Sequence, residues 1–390
     1  MSTRRTILLG VTADVSLTLM RGFPEYLRDN GWTVHVVSAP GPALNALRQV
    51  SGIHVHAVPM ERSPSPLKDL VALFAWVRLL LRVRPDVISV GTPKAGLLGG
   101  IAGFITRVPH RVYLLRGLRL ETARGPTRRV LSFLERVSIA VAHDVIAVSA
   151  SLRDRAIDLA LVRPQKIRVL GGGSSNGVDV DAYSSRHFSP ADIALLKGQL
   201  GLVNDVPVIG FVGRLTPDKG LAVLAEARQI LTRREVDHQL LIVGGIDKGE
   251  DGSLLTTITS AGREAALTGH VADPRPYYRL MDVLCLPTFR EGFPNVVLEA
   301  AASGIPTVTT DATGAIDSVV DGTTGIVVHV GSADCLASAF EVLLPQKPLR
   351  ESMGAAALRH VTANFSRADV WERTQRYYRS LLSGSATRTS

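Results

Sequence analysis

Short apolar, β-branched runs separated by longer segments of helical spacing fill the first half of this chain, and the same rhythm restarts in the second half. T-I-L-L-G-V, W-T-V-H-V-V-S, I-H-V-H-A-V-P, V-I-S-V-G, R-V-Y-L-L-R, V-I-A-V-S and I-R-V-L, near residues 6, 32, 53, 87, 111, 145 and 167, predict strands. Runs that are apolar without alternation belong to a parallel sheet covered on both faces, so a Rossmann-like domain is expected. V-I-G-F-V-G, Q-L-L-I-V-G-G, A-L-T-G-H-V, V-L-C-L-P, T-V-T-T-D and G-I-V-V-H-V, near 208, 239, 266, 283, 307 and 325, predict a second such sheet. Between them, 188–204 is polar enough for a linker and a short helix. Residues 369–382, with Val370, Trp371, Tyr377, Tyr378 and Leu381, read as a last helix.

Parallel sheets of this kind take ligands at the carboxyl ends of their strands. In the first half that singles out Thr12 to Ser16, Gly91 to Lys94 and Arg116 to Arg119. In the second half it singles out R-E-G-F-P-N-V-V-L-E-A-A-A-S-G, Arg290 to Gly304. Leu284 to Pro287 leads in as a strand, Asn295 is expected as the N-cap, and Gly304 ends the helix. Glu291 then lies in the loop and Glu299 just past the first helical turn, with free N–H groups from Gly292 to Val296 between them. Such a helix start holds phosphate, and flanking carboxylates accept from sugar hydroxyls. Upstream, Arg214 and Lys219 in Gly213 to Gly220 fit a two-point phosphate clamp, one forked and one a point charge. The bland alternative for all four residues is a set of solvated surface charges.

At 390 residues the chain has room for two domains. Cys285 and Cys335 have no partner at metal spacing, so neither a disulfide framework nor a zinc site is expected. V-D-V-D, Val178 to Asp181, reads as a local turn rather than a metal site. The net charge of +9 favours an anionic partner, and only 5% of residues are aromatic, which argues against a nucleic-acid stacking platform. No apolar stretch reaches membrane-spanning length, so a soluble or peripheral protein of the reducing cytoplasm is expected. Met1 to Arg5 and Ser383 to Ser390 read as loose ends. Leu67 to Val83 is a helix with a broad apolar face, ending in Arg78, Arg82 and Arg84. It is either core or a basic amphipathic helix at an anionic membrane surface. G-T-P-K-A-G-L-L-G-G is not a P-loop, because its lysine precedes the glycines. It predicts close helix packing, with Lys94 offered to an acceptor phosphate.

E-G-F-P-N-V-V-L-E resembles the E-x7-E signature of the retaining glycosyltransferases of family 4, and G-R-L-T-P-D-K-G resembles that family's basic loop. G-G-G-S-S-N-G-V-D resembles its pre-linker segment, while G-T-P-K-A-G and R-G-L-R-L-E-T resemble the capsular-polysaccharide and N-glycan-assembly branch. The resemblance implies an α/β GT-B fold of two Rossmann-like domains whose parallel sheets face a central cleft. Residues 1–185 would form the acceptor domain, with helix 366–383 packing back on it, and 186–365 the nucleotide-sugar domain. It assigns Arg214 and Lys219 to the diphosphate, Glu299 to the ribose and Glu291 to the donor sugar. Gly292, Phe293, Pro294 and Asn295 would cradle the phosphates. Val271 closes the base-contacting T-G-H-V loop, with His270 on its rim. Thr12, Lys94, Arg116 and Arg119 fall on the acceptor side. Relatives often carry a histidine near Arg116 or Arg119; arginine cannot be a general base, so its expected role is electrostatic. Arg116, Arg214, Lys219 and Glu291 are the expected catalytic set.

The implied reaction transfers a hexosyl or N-acetylhexosaminyl group from a nucleotide sugar, expected to be UDP-linked, to a lipid-linked acceptor of polyprenyl-diphosphate type in surface-glycan assembly, or else to a small-molecule acceptor, without metal or other cofactor. Retention would follow from same-face attack rather than from two positioned carboxylates. A natural-product aglycone or a carrier-protein-bound acceptor stays open. So do a UDP-sugar 2-epimerase and a non-catalytic sugar-nucleotide binding protein.

Overall fold

The computed structural model describes residues 5–61, 65–245, 258 and 265–384. The expected loose ends therefore lie largely outside the described residues, although Arg5 opens the first strand and Ser383 sits in the last helix. The chain divides into two compact units, Met1–Asn176 with Ala368–Ser390, and Gly177–Arg367. The division comes before the expected 185/186 boundary because backbone bonds tie the intervening segment to the second unit. Val178 donates to the Phe365 carbonyl at 3.0 Å, and Arg367 donates to the Val178 carbonyl at 2.9 Å.

Seven parallel strands build the first unit: β1 (Arg5–Gly10), β2 (Trp32–Ser38), β3 (Ile53–Ala57), β4 (Val87–Gly91), β5 (His110–Leu115), β6 (Asp144–Ala147) and β7 (Ile167–Val169). They lie in the order β3-β2-β1-β4-β5-β6-β7. Alternate residues feed opposite faces: Ile7 and Leu9 join one core, Leu8 the other. Helices α1 (Phe23–Asp29), α2 (Pro42–Arg48), α3 (Pro66–Val83), α4 (Pro93–Ile105), α5 (Gly125–Val141) and α6 (Ala150–Asp158) connect the strands. The glycines of α4 let it lie close on the sheet, since a Cβ on Gly96 would stand 2.3 Å from the Tyr113 ring. Only Ala72, Trp76 and Leu80 of α3 are buried. Leu67, Leu70, Val71, Phe74 and Leu81 are exposed, so the broad apolar face is not simply core.

The second unit repeats the topology with β8 (Val208–Val212), β9 (Gln239–Val243), β10 (Ala265–Leu267), β11 (Val283–Leu286), β12 (Thr307–Thr310) and β13 (Gly325–Val328), ordered β10-β9-β8-β11-β12-β13. Its described helices are α7 (Pro190–Gln199), α8 (Leu221–Arg233), α9 (Arg275–Tyr278), α10 (Asn295–Ala302), α11 (Ala333–Leu343) and α12 (Lys347–Asn364). The last helix, α13 (Arg367–Gly384), carries Tyr377 and Tyr378 into the core of the first unit. In each sheet the strand order reverses once, between β1 and β4 and between β8 and β11, which is where doubly wound folds place ligands.

Candidate functional site

The reversal point of the second unit gathers most of the residues singled out in the sequence. After β8, Gly213 donates to the Val243 carbonyl at 3.0 Å, and exposed Arg214 follows. The loop then runs back over the end of β11. A Cβ on Gly220, at φ +72°, would stand 1.8 Å from the Pro287 carbonyl oxygen, so only glycine fits this crossing. Two further bonds close it: the Phe289 N–H and the Thr288 hydroxyl both donate to the Asp218 carbonyl, at 2.9 and 3.0 Å.

The side chains across this crossing form a charge network. Lys219 Nζ donates to Glu291 Oε1, with both side chains largely buried. Arg290 pairs with Asp218 at 2.9 Å, and the Thr216 hydroxyl donates to the same carboxylate at 2.6 Å. Burial alone would raise the Asp218 carboxyl, but Thr216 and the cations Arg290, Lys219 and Arg214 bring it below its ordinary value. Asp218 and Arg290 were missed in the sequence as partners, although both stand inside the two quoted motifs.

Pro294, not Asn295, occupies the N-cap of α10, and Asn295 is the first helical residue. The reason is local: Pro294 is extended at ψ 109°, and its carbonyl accepts from Val297 at 3.2 Å. Among the described residues, the N–H groups of Gly292, Phe293, Asn295 and Val296 make no hydrogen bond. Asn295 Oδ1 is likewise buried without a partner. Phe293 and Pro294 are buried and stiffen the loop. Glu291 N–H is held by the Thr313 carbonyl at 2.8 Å.

Glu299 is half-buried, one turn into α10, and accepts from the Tyr278 hydroxyl at 2.7 Å. Burial raises its carboxyl above the usual range, opposed by the hydroxyls of Tyr278 and Tyr183 and by the charge of Arg367. Neither tyrosine was anticipated, because both reach Glu299 only through the fold. Val271 is half-buried beside exposed His270. Asp179 pairs with Arg367 at 3.3 Å and accepts from the Ala182 N–H, and Asp181 pairs with Arg186, so V-D-V-D is a turn with its charges engaged.

The acceptor-side residues of the first unit are used differently from expectation. Thr12 is buried at the reversal point, where its hydroxyl meets that of Thr92 at 2.8 Å and accepts from the Ala95 N–H at 2.9 Å. It caps the start of α4. Lys94 is not held out to solvent: its ammonium bonds Asp69 of α3 at 2.6 Å, with 12% of the side chain exposed. Arg119 is exposed on a short turn of 3-10 helix. Arg116 is half-buried, its Nη1 3.4 Å from the Leu19 carbonyl and its Nε buried without a partner.

The family model described as glycosyl transferases group 1 matches residues 206–346, and that of the glycosyl transferase 4-like domain matches residues 20–173. The capsular polysaccharide biosynthesis glycosyltransferase CapM of Staphylococcus aureus is 38% identical over 377 residues, 96% of this chain and 97% of that protein. A UDP-Gal:alpha-D-GlcNAc-diphosphoundecaprenol alpha-1,3-galactosyltransferase of Escherichia coli is 27% identical, covering 74% of each chain. The crystal structure of Anabaena HepE in complex with UDP and glucose superposes with a TM-score of 0.80 at 22% identity, over 96% of this chain and 100% of that one. With two parallel Rossmann-like sheets, the two family matches and a full-length relative, the chain belongs to the group 1 glycosyltransferases with a family 4-like first domain, in the GT-B fold.

Proposed function

We propose that this glycosyltransferase moves a hexosyl or N-acetylhexosaminyl group from a UDP-sugar to a polyprenyl-diphosphate-type lipid-linked acceptor in surface-glycan assembly. Transfer retains configuration and needs no metal ion. The observation that carries this reading is one loop cluster of the second unit, where Arg214 and Lys219 stand with four unbonded N–H groups at the start of α10. Cations and preorganised amides are what a departing diphosphate requires. Lys219 exchanges Glu291 for a phosphate oxygen when the donor arrives, and the freed Glu291 carboxylate accepts from the sugar hydroxyls. Glu299, set by Tyr278, takes the ribose hydroxyls. The bond from the anomeric carbon to the diphosphate breaks, the acceptor oxygen bonds the same face, and its proton passes to the leaving phosphate oxygen.

The relatives support the choice of substrates. CapM is named for capsular polysaccharide biosynthesis, the Escherichia coli relative for a UDP-sugar and a diphosphoundecaprenol-linked acceptor, and HepE was crystallised with UDP and glucose. Among the described residues no helix is long and apolar enough to cross a membrane. The neighbouring helices α3, α4 and α5 nonetheless expose Leu70, Phe74, Phe104, Ile105, Val130 and Phe133, beside exposed Arg78, Arg82, Arg128 and Arg129. Apolar side chains exposed on three packed helices, with exposed arginines on two of them, suit the anionic cytoplasmic face of a membrane, where such an acceptor lies.

The deciding experiment supplies a panel of UDP-sugars with a GlcNAc-diphosphate-polyprenyl acceptor, with and without chelator, and reads the product anomer by NMR. Transfer with a retained anomer that survives chelation is expected. Conversion of the UDP-sugar without acceptor would make the protein an epimerase, and binding without turnover a sugar-nucleotide binding protein. Flotation with anionic vesicles tests the surface. Binding should fall steeply towards 1 M salt, where the screening length is about 3 Å. Phe74→Asp should weaken it without altering donor affinity.

A further inference from the structure

We propose that a cavity in the first unit, built around Arg116, is a phosphoryl-anion subsite for the acceptor. Arg116 follows β5, and its Nε has no exposed surface and no partner. Its one described hydrogen bond is a long 3.4 Å approach of Nη1 to the Leu19 carbonyl. No ion pair involves it among the described residues, whereas Lys94, Arg155 and Arg168 of the same unit are all paired with carboxylates. Burial pulls the guanidinium down only to about 10, so it is cationic at neutral pH. A cation whose Nε is shut off from water and meets no counter-ion is costly, and such a group calls for an explanation, of which a bound anion is one.

The space beside it fits that role. Arg116 borders a cavity of about 50 Å³, room for several waters or one tetrahedral oxyanion. Ser89, Ser174, Ser175, Thr374 and Tyr378 also line it, and no aspartate or glutamate does. The rest of the lining is largely apolar, Leu9, Phe23 and Trp371 among it, so the guanidinium and the hydroxyls are the groups a ligand's charge can meet, and without a carboxylate they favour an anion over a cation. The roof is fixed rather than loose. Ser174 holds φ +82° and donates its N–H to the Val148 carbonyl at 2.7 Å, and a Cβ on Gly173 would stand 2.3 Å from that same oxygen. The floor is tied by the Ser89 and Tyr378 hydroxyls at 2.7 Å.

Assigning the anion to the acceptor rests on the function proposed above, in which the donor diphosphate is claimed by the second unit and the acceptor carries the other phosphoryl groups. The anion chemistry itself stands without it, so the test has two arms. In the first, the full chain saturated with UDP is titrated with inorganic phosphate, followed by thermal melting and ³¹P line broadening. Wild type should bind phosphate, Arg116→Met should bind at least tenfold more weakly, Arg116→Lys should fall between, and UDP affinity should be the same in all three. Ser175→Asp, which supplies a counter-ion, should melt higher than wild type and lose phosphate binding, and it remains informative if Arg116→Met fails to fold. Absence of phosphate binding, or equal binding by wild type and Arg116→Met, overturns the subsite. In the second arm, Arg116→Met should raise the acceptor KM at least tenfold with the donor KM unchanged, and phosphate should compete with the acceptor. Competition with the UDP-sugar instead would show that the anion belongs to the donor. Phosphate binding with no change in acceptor KM would show a site for free phosphate only.

Discussion

The two reversal points of this protein share a topology and differ in chemistry. In the second unit the chain leaving β8 and β11 brings Arg214, Lys219 and Glu291 together and leaves the N–H groups of Gly292, Phe293, Asn295 and Val296 unbonded. In the first unit the chain leaving β1 and β4 brings Thr12 to Thr92, and the pair bond each other and the Ala95 N–H. One reversal point keeps unbonded N–H groups beside its cations, and the other is closed on itself. Even the backbone follows the contrast. The second unit crosses with glycine at Gly220, whereas the first holds a threonine, Thr92, at φ +73°, a conformation β-branched residues avoid. The first unit keeps its unpaired cation one strand further along, at Arg116 after β5. A doubly wound sheet thus offers a ligand position, and the loop residues decide whether it is used.

The strongest way to break this comparison is to remove the charges from the open reversal point. Arg214→Ala or Lys219→Ala should lower turnover by on the order of 10² or more, the scale of losing one preorganised donor. Because Lys219 and Glu291 bond each other, Lys219→Ala with Glu291→Ala should cost less than the sum of the single effects. Steady-state kinetics of the four variants, with melting as the folding control, checks both statements. Near-normal turnover in Arg214→Ala would place the chemistry elsewhere.

Next in size is the crossing itself. Gly220→Ala forces a Cβ against the Pro287 carbonyl at a positive φ, and should destabilise the protein by about 2–4 kcal/mol, the range of strained backbone substitutions. Thr92→Gly in the first unit relieves its unusual φ but loses the hydroxyl bonded to Thr12, so its net effect should stay within about 1 kcal/mol. Denaturant unfolding of the pair decides whether the two crossings differ as described. Equal losses would end the contrast.

The strands were legible because buried parallel strands are written as apolar runs, and all thirteen stand where those runs predict. The Arg214 to Gly220 loop and the Glu291 to Glu299 segment were legible because their spacing against a strand end fixes their place. What could not be read were contacts between residues distant in sequence. Lys94 meets Asp69 because α3 packs beside α4, and Tyr278 reaches Glu299 because α9 ends under α10. The shift of the N-cap from Asn295 to Pro294 has a local cause: both residue types open helices, and only the backbone angle separates them. The division before Gly177 depends on its pairing with 365–367, which no composition shift marks.

Glu299 sharpens the comparison at smaller scale. Its contact to the ribose would be the same in ground and transition states, so Glu299→Gln should weaken donor binding by about tenfold with little change in kcat. Tyr278→Phe should reproduce part of this, since Tyr278 sets the carboxylate. Donor-dependence kinetics and UDP binding measure both. A fall in kcat as large as that of Lys219→Ala would move Glu299 into the reacting centre.

The smallest effect separates the units by acid. On β2 and β3 of the first unit, His35 stacks on His54 and His56, with ring centroids 4.6 and 5.2 Å apart, and its Nδ1 lies 2.9 Å from His56 Nε2. Burial, then the neighbouring His54 and His56, pull His35 down to about 4 from an ordinary 6.5, and burial, His54 and Arg82 lower His56 as well. A depressed pKa means that the unfolded chain binds more protons, so this stability is present above pH 6.5 and is lost as pH falls towards about 4. Asp218 in the second unit is also depressed, but from an ordinary 3.8, so its contribution is lost only below that value. Glu135 of α5, raised to about 7 by burial, works the other way in the same unit, so lowering the pH from 7 to 5 should loosen the β2–β3 edge rather than the first unit as a whole. Hydrogen exchange should rise first in β2 and β3, with a fall in melting temperature of a few degrees. His35→Phe, which cannot take the proton, should flatten that pH dependence. If exchange instead rises first around β8 and β11, acid sensitivity belongs to the charged reversal point and not to the histidine stack.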